Sequence, residues 1–357
     1  MSAEPLPLTV AVVGATGVVG RTMIQVLSER HFPVGELRLL ASGRSAGSTV
    51  SADGRTLTVG QATPDAFEGV DIALFSAGTD VSRQLAPEAA ARGATVIDNS
   101  NAWRMEPNVP LIVSQVNPDD GEWHEGIVAN PNCSTMQLMP VLMAIRDAVG
   151  IERVVVDTYQ SVSGTGAEAL AELDLQIRAH VAGEPAVASV YPHPIAFNAL
   201  PEIDVFLENG YTREEWKVVT ESRKILHLPE LRLSCTAVRV PVFVSHSEAV
   251  HVETSRPMSP DEARRAFAEV PGVVVMDDPE NHVYPLATQA AGKDEVFVGR
   301  IRTDPSVENG LAFWVVSDNL RKGAATNAIE IAEVLLDRGW VKARSRRELQ
   351  TGAGEAS

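Results

Sequence analysis

Cysteine is nearly absent. Two residues in 357, Cys133 and Cys235, exclude a disulfide framework and suit a reducing cytoplasm. Long apolar runs are missing as well: none approaches the roughly 20 residues that a membrane-spanning helix needs. The first residues, Met1 to Leu8, carry Glu4 and no basic stretch followed by an apolar one, so no secretory signal is expected there. Basic residues are scarce beside acidic ones, 30 against 47, for a formal net charge of −17. That sign argues against nucleic acid or an anionic membrane as a partner. It also means that any bound anion must be held by arginines and lysines placed locally. No internal repeat is present.

What is there is the composition of an ordinary soluble globular protein, 45% hydrophobic and 22% charged. The length exceeds one ordinary domain, and two are expected. Leu8 to Val13 reads as a buried strand, and Val18 to Glu29 has the apolar spacing of a helix. Leu37 to Ala41, Asp71 to Ser76 and Ala94 to Asp98 read as further strands, with a hairpin over Thr49 to Val59 centred on Asp53-Gly54 and a helix over Val81 to Arg92. Alternation of this kind implies a parallel, doubly wound sheet. From Ile151 the pattern changes. Val154 to Val162, Leu231 to Val240, Ala249 to Glu253, Val296 to Arg302 and Leu311 to Val316 read as long strands with few helices between them. The fold class expected is therefore α/β: a Rossmann-type dinucleotide-binding domain and a mixed, mostly antiparallel α+β catalytic domain. The last helix, Ala324 to Leu336, is expected to return to the first domain, giving 1–131 plus 322–357 and 132–321; the polar residues after Lys342 read as a frayed tail.

Gly14-Ala15-Thr16-Gly17-Val18-Val19-Gly20 lies between the first strand and the first helix. A glycine turn there brings backbone N–H groups and a helix N-terminus against a pyrophosphate. The spacing is a variant of the dinucleotide fingerprint, and a purely structural turn is the alternative. The second strand bears on the cofactor. It runs into Ser42-Gly43-Arg44-Ser45 and carries no acid for a ribose 2′-hydroxyl. Arg44 can pair with a 2′-phosphate, and Ser42 or Ser45 can donate to it, so NADP is expected. A solvated turn arginine is the bland reading.

Asn130-Pro131-Asn132-Cys133-Ser134-Thr135 precedes a helical stretch, Met136 to Val149. Cys133 is thus expected near a helix N-terminus, where the dipole favours thiolate. The same N–H groups and the Asn132 amide are candidate oxyanion donors. Cys235, inside a strand pattern, reads as a small buried hydrophobe.

Seven segments in order carry a family resemblance: GATGVVG at Gly14, Asp98-Asn99-Ser100 through Trp103-Arg104-Met105, NPNCST at Asn130, QSVSGTG at Gln160, Glu221-Ser222-Arg223-Lys224-Ile225, Arg239-Val240-Pro241 through Ser245-His246-Ser247, and Asp318-Asn319-Leu320-Arg321-Lys322-Gly323. In these the sequence resembles the aspartate-semialdehyde dehydrogenases. The resemblance implies a homodimer that reduces L-aspartyl-4-phosphate to the semialdehyde with NADPH, releasing inorganic phosphate, through a thioacyl enzyme and with no metal. It implies Cys133 as nucleophile, His246 as general acid/base and Gln160 as the residue orienting substrate beside Asn132. Arg239 would grip the α-carboxylate. Glu221 would meet the ammonium, and Lys224 with Arg104 the phosphate. Ser76, Gly78, Ser163, Gly164 and Asn319 would join the glycine turn at the cofactor. An N-acetylglutamyl-phosphate reductase-like enzyme, a non-catalytic NADP-binding paralogue and a cysteine hydrolase are the rival readings.

Overall fold

Strand β1, Leu8–Val13, has a β-branched or small residue at every position after Leu8. Such a strand suits the middle of a sheet covered on both faces. The computed structural model, which describes residues 7–52 and 54–341, places it there. Val10 and Val12 point into one apolar cluster with Met23 and Leu27 of α1 (Val18–Glu29), while Ala11 and Val13 point into another with Leu85 and Ala89. The sheet also contains β2 (Val34–Ala41), with a separate antiparallel hairpin of β3 (Thr49–Ala52) and β4 (Arg55–Thr58) leading to β5 (Gly60–Gln61). Asp53, at the centre of the expected hairpin, lies outside the described residues. β6 (Ile72–Phe75), α2 (Thr79–Ala91), β7 (Thr95–Asp98) and β8 (Ile127–Ala129) complete the set. The order is β5-β2-β1-β6-β7-β8 and all five pairings are parallel. The chain builds outward from β1 in one direction and from β6 in the other, so the topological switch point lies at their carboxyl ends.

The chain divides into two compact units, at Pro131/Asn132 and again at Ala324/Ala325. The second unit opens with α3 (Cys133–Val149) and is built on β9 (Ile151–Gln160), β10 (Arg232–Arg239), β11 (His246–Thr254), β12 (Val273–Val275), β13 (Val296–Asp304) and β14 (Gly310–Ser317). Their order is β10-β9-β11-β14-β13-β12, with parallel pairs at both ends and antiparallel pairs between. α4 (Ala167–Ala182), α5 (Arg213–Ile225), α6 (Pro260–Ala268) and the single turn α7 (Ala287–Ala290) lie between strands. α3 packs on β9, β11 and β14 and is buried from Ser134 to Leu142, which explains its nearly continuous apolar sequence.

Two expectations need correction. The strand expected over Val154 to Val162 stops at Gln160, because the N–H of Ser161 goes to the His246 ring and Val162 begins a 3-10 turn. The helix expected from Ala324 begins at Asn327: Arg321–Thr326 forms a π-helical turn that leads into α8 (Asn327–Asp337). α8 buries Ala328, Ile329, Ile331, Ala332 and Leu335 in the cluster that holds Val10 and Val12, and so belongs to the first unit.

Candidate active site

In the first unit the glycine turn forms one wall of a cavity of about 560 Å³ at the β1/β6 switch point, lined among others by Gly14, Thr16, Gly17, Ser42, Ser76 and Gly78. Gly14 sits at φ 86°, and a Cβ on it would lie 2.8 Å from the Ser76 carbonyl oxygen. A Cβ on Gly20 would lie 2.2 Å from the Gly14 oxygen, so α1 can enter this close only with glycine. Gly17 caps α1 and Gly78 caps α2, and neither helix has a side-chain cap on its N–H groups. Two uncapped helix N-termini at one cleft fit a pyrophosphate. Ala15 and Val19 pack into the core, and Val18 is the first residue of α1. Gln61 and Thr63 also line the cleft; no motif marks them. Arg44 is exposed in the turn after β2 and makes no ion pair or hydrogen bond among the described residues, while the Ser45 carbonyl accepts from the Ser48 hydroxyl.

Arg104 is also in the first unit, and is buried. Its Nε donates to the Asn130 carbonyl at 2.9 Å and its Nη2 to that of Asn99 at 2.8 Å, which fixes the plane of the guanidinium. The adjacent Asp98 carboxylate accepts from the Ser100 N–H and hydroxyl, both at 2.8 Å, and from the Ser82 hydroxyl. Burial raises its pKa, opposed by those donors and by Arg104.

The second unit gathers the chemistry. Cys133 is the first residue of α3 and half-buried. Asn132 is the N-cap: its Oδ1 accepts from the N–H of Ser134 at 3.0 Å and of Thr135 at 3.4 Å. Its Nδ2 donates to Glu214 Oε1 at 2.8 Å and its backbone N–H to Glu221 Oε2 at 2.7 Å. The Asn132 amide and two of the N–H groups expected as oxyanion donors are therefore engaged in holding the helix start. Gln160, the last residue of β9, donates to Ser134 Oγ at 2.9 Å and Glu214 Oε1 at 3.2 Å. Arg239, its register partner on β10, donates from Nη1 to the Ser161 carbonyl at 2.7 Å. His246, first residue of β11, accepts the Ser161 N–H at Nδ1, 3.0 Å away. A Cβ on Gly164 would lie 3.1 Å from Arg239 Nη1 and 3.3 Å from His246 Nε2, and one on Gly323 would lie 3.0 Å from Cys133 Cβ. Glycine at both positions keeps the cluster open.

A second carboxylate and lysine of α5, Glu214 and Lys217, meet this cluster alongside Glu221. Glu221 is buried and its Oε2 is spent on the Asn132 backbone, so it pins the chain that enters α3. Two turns earlier on α5, Glu214 meets Asn132, Gln160 and Lys217 Nζ, the last at 3.1 Å. Burial raises the Glu214 pKa, but Lys217, the Asn132 hydrogen bond and Arg239 outweigh it and hold the group at about 2. Sequence reasoning missed Glu214 and Lys217 because their spacing of three repeats at Glu221 and Lys224. The Asn319 amide accepts from Ser245 N–H, Ser161 Oγ and Ser163 Oγ and donates to Ser163 Oγ, so it binds three loop residues together. Cys235 is buried in β10, and burial followed by nearby carboxylates pushes its thiol well up, away from the reactive form.

Residues 9–124 match the semialdehyde dehydrogenase NAD-binding domain, and residues 142–322 the semialdehyde dehydrogenase dimerisation domain. An aspartate-semialdehyde dehydrogenase of Aquifex aeolicus is 54% identical over 336 residues, 93% of this chain and 99% of that protein. The structure of aspartate semialdehyde dehydrogenase II from Vibrio cholerae complexed with ASA is similar with a TM-score of 0.91 at 46% identity, covering 93% of this chain and 99% of that one. That of the Candida albicans aspartate semialdehyde dehydrogenase with NADP is similar with a TM-score of 0.74 at 25% identity, covering 94% and 99%. With both domain models matched and such identity along nearly its whole length, the chain belongs to the aspartate-semialdehyde dehydrogenase family and is an oxidoreductase.

Proposed function

We propose that the chain reduces L-aspartyl-4-phosphate to L-aspartate-4-semialdehyde with NADPH, through a thioacyl group on Cys133. The observation that carries this reading is the position of Cys133: first residue of a capped helix, beside the buried cluster of Gln160, Glu214, Arg239 and His246. The helix N-terminus favours the thiolate. The thiolate attacks the acyl carbon, the C–S bond forms and the C–O bond to phosphate breaks. The cofactor, when bound in the cleft of the first unit, supplies the hydride that reduces the thioester. Collapse of the reduced adduct breaks the C–S bond, releasing aldehyde and restoring the thiolate.

Arg239 binds the α-carboxylate and Gln160 orients the acyl group. Glu214 meets the ammonium, and Lys217 serves the phosphate. These roles replace those expected of Glu221 and Lys224. Arg44 serves the 2′-phosphate of NADP, which the solved Candida albicans relative with NADP supports. The match to a dimerisation domain supports a homodimer, and the scarcity of cysteine, two in 357 residues, suits the cytoplasm. Nucleic acid and membrane have no part in this reading.

Two measurements test it. NADPH formation is followed with aspartate semialdehyde plus phosphate, and then with the N-acetylglutamate analogue, whose acetylated nitrogen has no use for Glu214. Turnover only of the first supports the proposal; preference for the second makes the chain an N-acetylglutamyl-phosphate reductase, and turnover of neither makes it a non-catalytic binder. For the cofactor, Arg44→Ala is predicted to weaken NADP binding by roughly 1.5–3 kcal/mol, the worth of a hydrogen bond to a charged group, and to leave NAD binding unchanged. Equal losses for both cofactors would make Arg44 structural.

A further inference from the structure

Sixteen residues after α4, 184–199, contain no helix or strand, yet the segment is fastened along its length. Loops of that length without secondary structure of their own are uncommon in compact domains. The carboxylate of Glu172, buried on α4, accepts from the Ser189 N–H at 2.8 Å, from the Ser189 hydroxyl at 2.6 Å and from the Val190 N–H. One turn on, the Gln176 amide accepts from the N–H groups of Ile195 and Ala196, both at 2.9 Å, and donates to the Val187 carbonyl at 2.8 Å. Burial raises the Glu172 pKa, but the Ser189 hydroxyl and the N–H groups of residues 189–191 outweigh it and hold the carboxyl below 4.5, so the anchor is charged at neutral pH. Past the end of the segment, Leu200 exchanges two backbone hydrogen bonds with Arg239, at 2.8 and 2.9 Å. Between these anchors Tyr191 lies over Arg239, its ring centroid 6.0 Å from the guanidinium carbon, and its hydroxyl donates to Thr165 Oγ1 at 2.9 Å. Thr165 ends the turn that holds Gly164, where a Cβ would come 3.1 Å from Arg239 Nη1.

We propose that Tyr191 is a positioning residue for Arg239, and that α4 holds it in place through Glu172 and Gln176. The proposal rests on the reading of Arg239 as the carboxylate site given above. A guanidinium meets a carboxylate with two parallel hydrogen bonds only when its plane is set. Among the described residues Arg239 donates one side-chain hydrogen bond, from Nη1 to the Ser161 carbonyl, and its Nε is buried without a partner. A single bond leaves the plane free to tilt, in contrast to Arg104, which donates to two carbonyls. The face of the tyrosine ring limits that tilt from one side. The unpartnered Nε–H then stays available to the substrate carboxylate, which supplies the acceptor that a buried donor needs. Tyr191 is itself only half-buried, so its place depends on the segment that carries it. Without the Glu172 carboxylate the N–H groups of that segment lose their acceptor, and the ring is no longer fixed.

The test compares KM with kcat for aspartate semialdehyde in the presence of phosphate and NADP. Tyr191→Ala should raise the KM for the semialdehyde by about 3- to 30-fold, the worth of a partly desolvated cation–π contact, and leave kcat within about twofold. Tyr191→Phe keeps the ring and loses the hydroxyl, and its KM should stay near the wild-type value. Glu172→Ala should raise KM in the same way, and adding Tyr191→Ala to it should cost little more. If Glu172→Ala fails to fold, the two tyrosine variants, changed at a half-buried position, still decide. An unchanged KM in Tyr191→Ala, a loss confined to kcat, or a phenylalanine variant as poor as the alanine one overturns the proposal. Arg239→Lys separates that failure from failure of the carboxylate reading. If it slows the semialdehyde and a simple aldehyde without a carboxylate by the same factor, the carboxylate reading is wrong. The double variant Arg239→Lys/Tyr191→Ala decides the positioning in either case. An ammonium has no plane to set, so removing the ring should cost clearly less in the Arg239→Lys background than in the wild type. Equal costs in the two backgrounds overturn the proposal.

Discussion

Glu214 and Glu221 end at the same residue, one on the Asn132 amide and the other on its backbone N–H. Each has a lysine three positions on, so their shared face of α5 is legible in the sequence while their division of labour is not. Tertiary contacts decide it: Glu214 also receives Gln160 and feels the charge of Arg239. Glu214→Gln is therefore expected to lower kcat/KM for the semialdehyde by about 10- to 150-fold, the equivalent of one charge-assisted bond of roughly 1.5–3 kcal/mol. Glu221→Gln keeps an acceptor oxygen for the Asn132 N–H and should stay near wild type. Steady-state kinetics on the two variants separate the roles. A large effect at Glu221 with little at Glu214 would return the ammonium site to Glu221. Cys133 and His246, in contrast, were both legible as residues, and the feature that the sequence hides is the Ser161 N–H that meets the His246 ring.

At the level of elements, β1 and α1 were readable to their ends, because an apolar run closed by glycine and a helical stripe opened by it are local signals. α4 was not. It buries only Ala169, Glu172, Leu173 and Gln176, too thin a stripe to stand out, and two of the four are polar residues serving the loop that follows. The start of α3 joins element to site, since one asparagine both caps the helix and touches Glu214. Asn132→Ala is expected to destabilise the second unit by about 0.5–2 kcal/mol through loss of the cap. Asn132→Ser restores a good cap but not the bond to Glu214. Urea denaturation should thus show recovery in the serine variant, and the KM for the semialdehyde should not recover. Full recovery of both would mean that the amide matters only as a cap.

For the molecule as a whole, the first unit follows from alternation of strands and helices, and the second is mixed because both edge strands pair parallel. Its core buries ionisable groups whose effects on stability run in opposite directions. His246 at about 3 and Glu214 at about 2 refuse protons that the unfolded chain accepts near 6.5 and 4.5. Stability from these two is present at neutral pH and is lost as pH falls through those windows. Glu248, wholly buried on β11, is the reverse: burial pushes its pKa well above 4.5 against the opposing effect of Gln137, so the fold keeps a proton that the unfolded chain gives up. That contribution costs stability progressively as pH rises above 4.5. Glu248→Gln is expected to raise the urea midpoint relative to wild type, and by more at pH 8 than at pH 5, values chosen on the same side of the ordinary carboxyl pKa. An equal gain at both would show that Glu248 is not held protonated.

The covalent role of Cys133 is tested most directly by leaving phosphate out. With aspartate semialdehyde and NADP alone, the wild-type enzyme should give a burst of one NADPH per active site, and acid quenching should trap an acyl group on the peptide that contains Cys133. Cys133→Ala should bind NADP as before, give no burst and carry no acyl group. A burst that survives in the alanine variant, or an acyl group found on Cys235, would contradict the account.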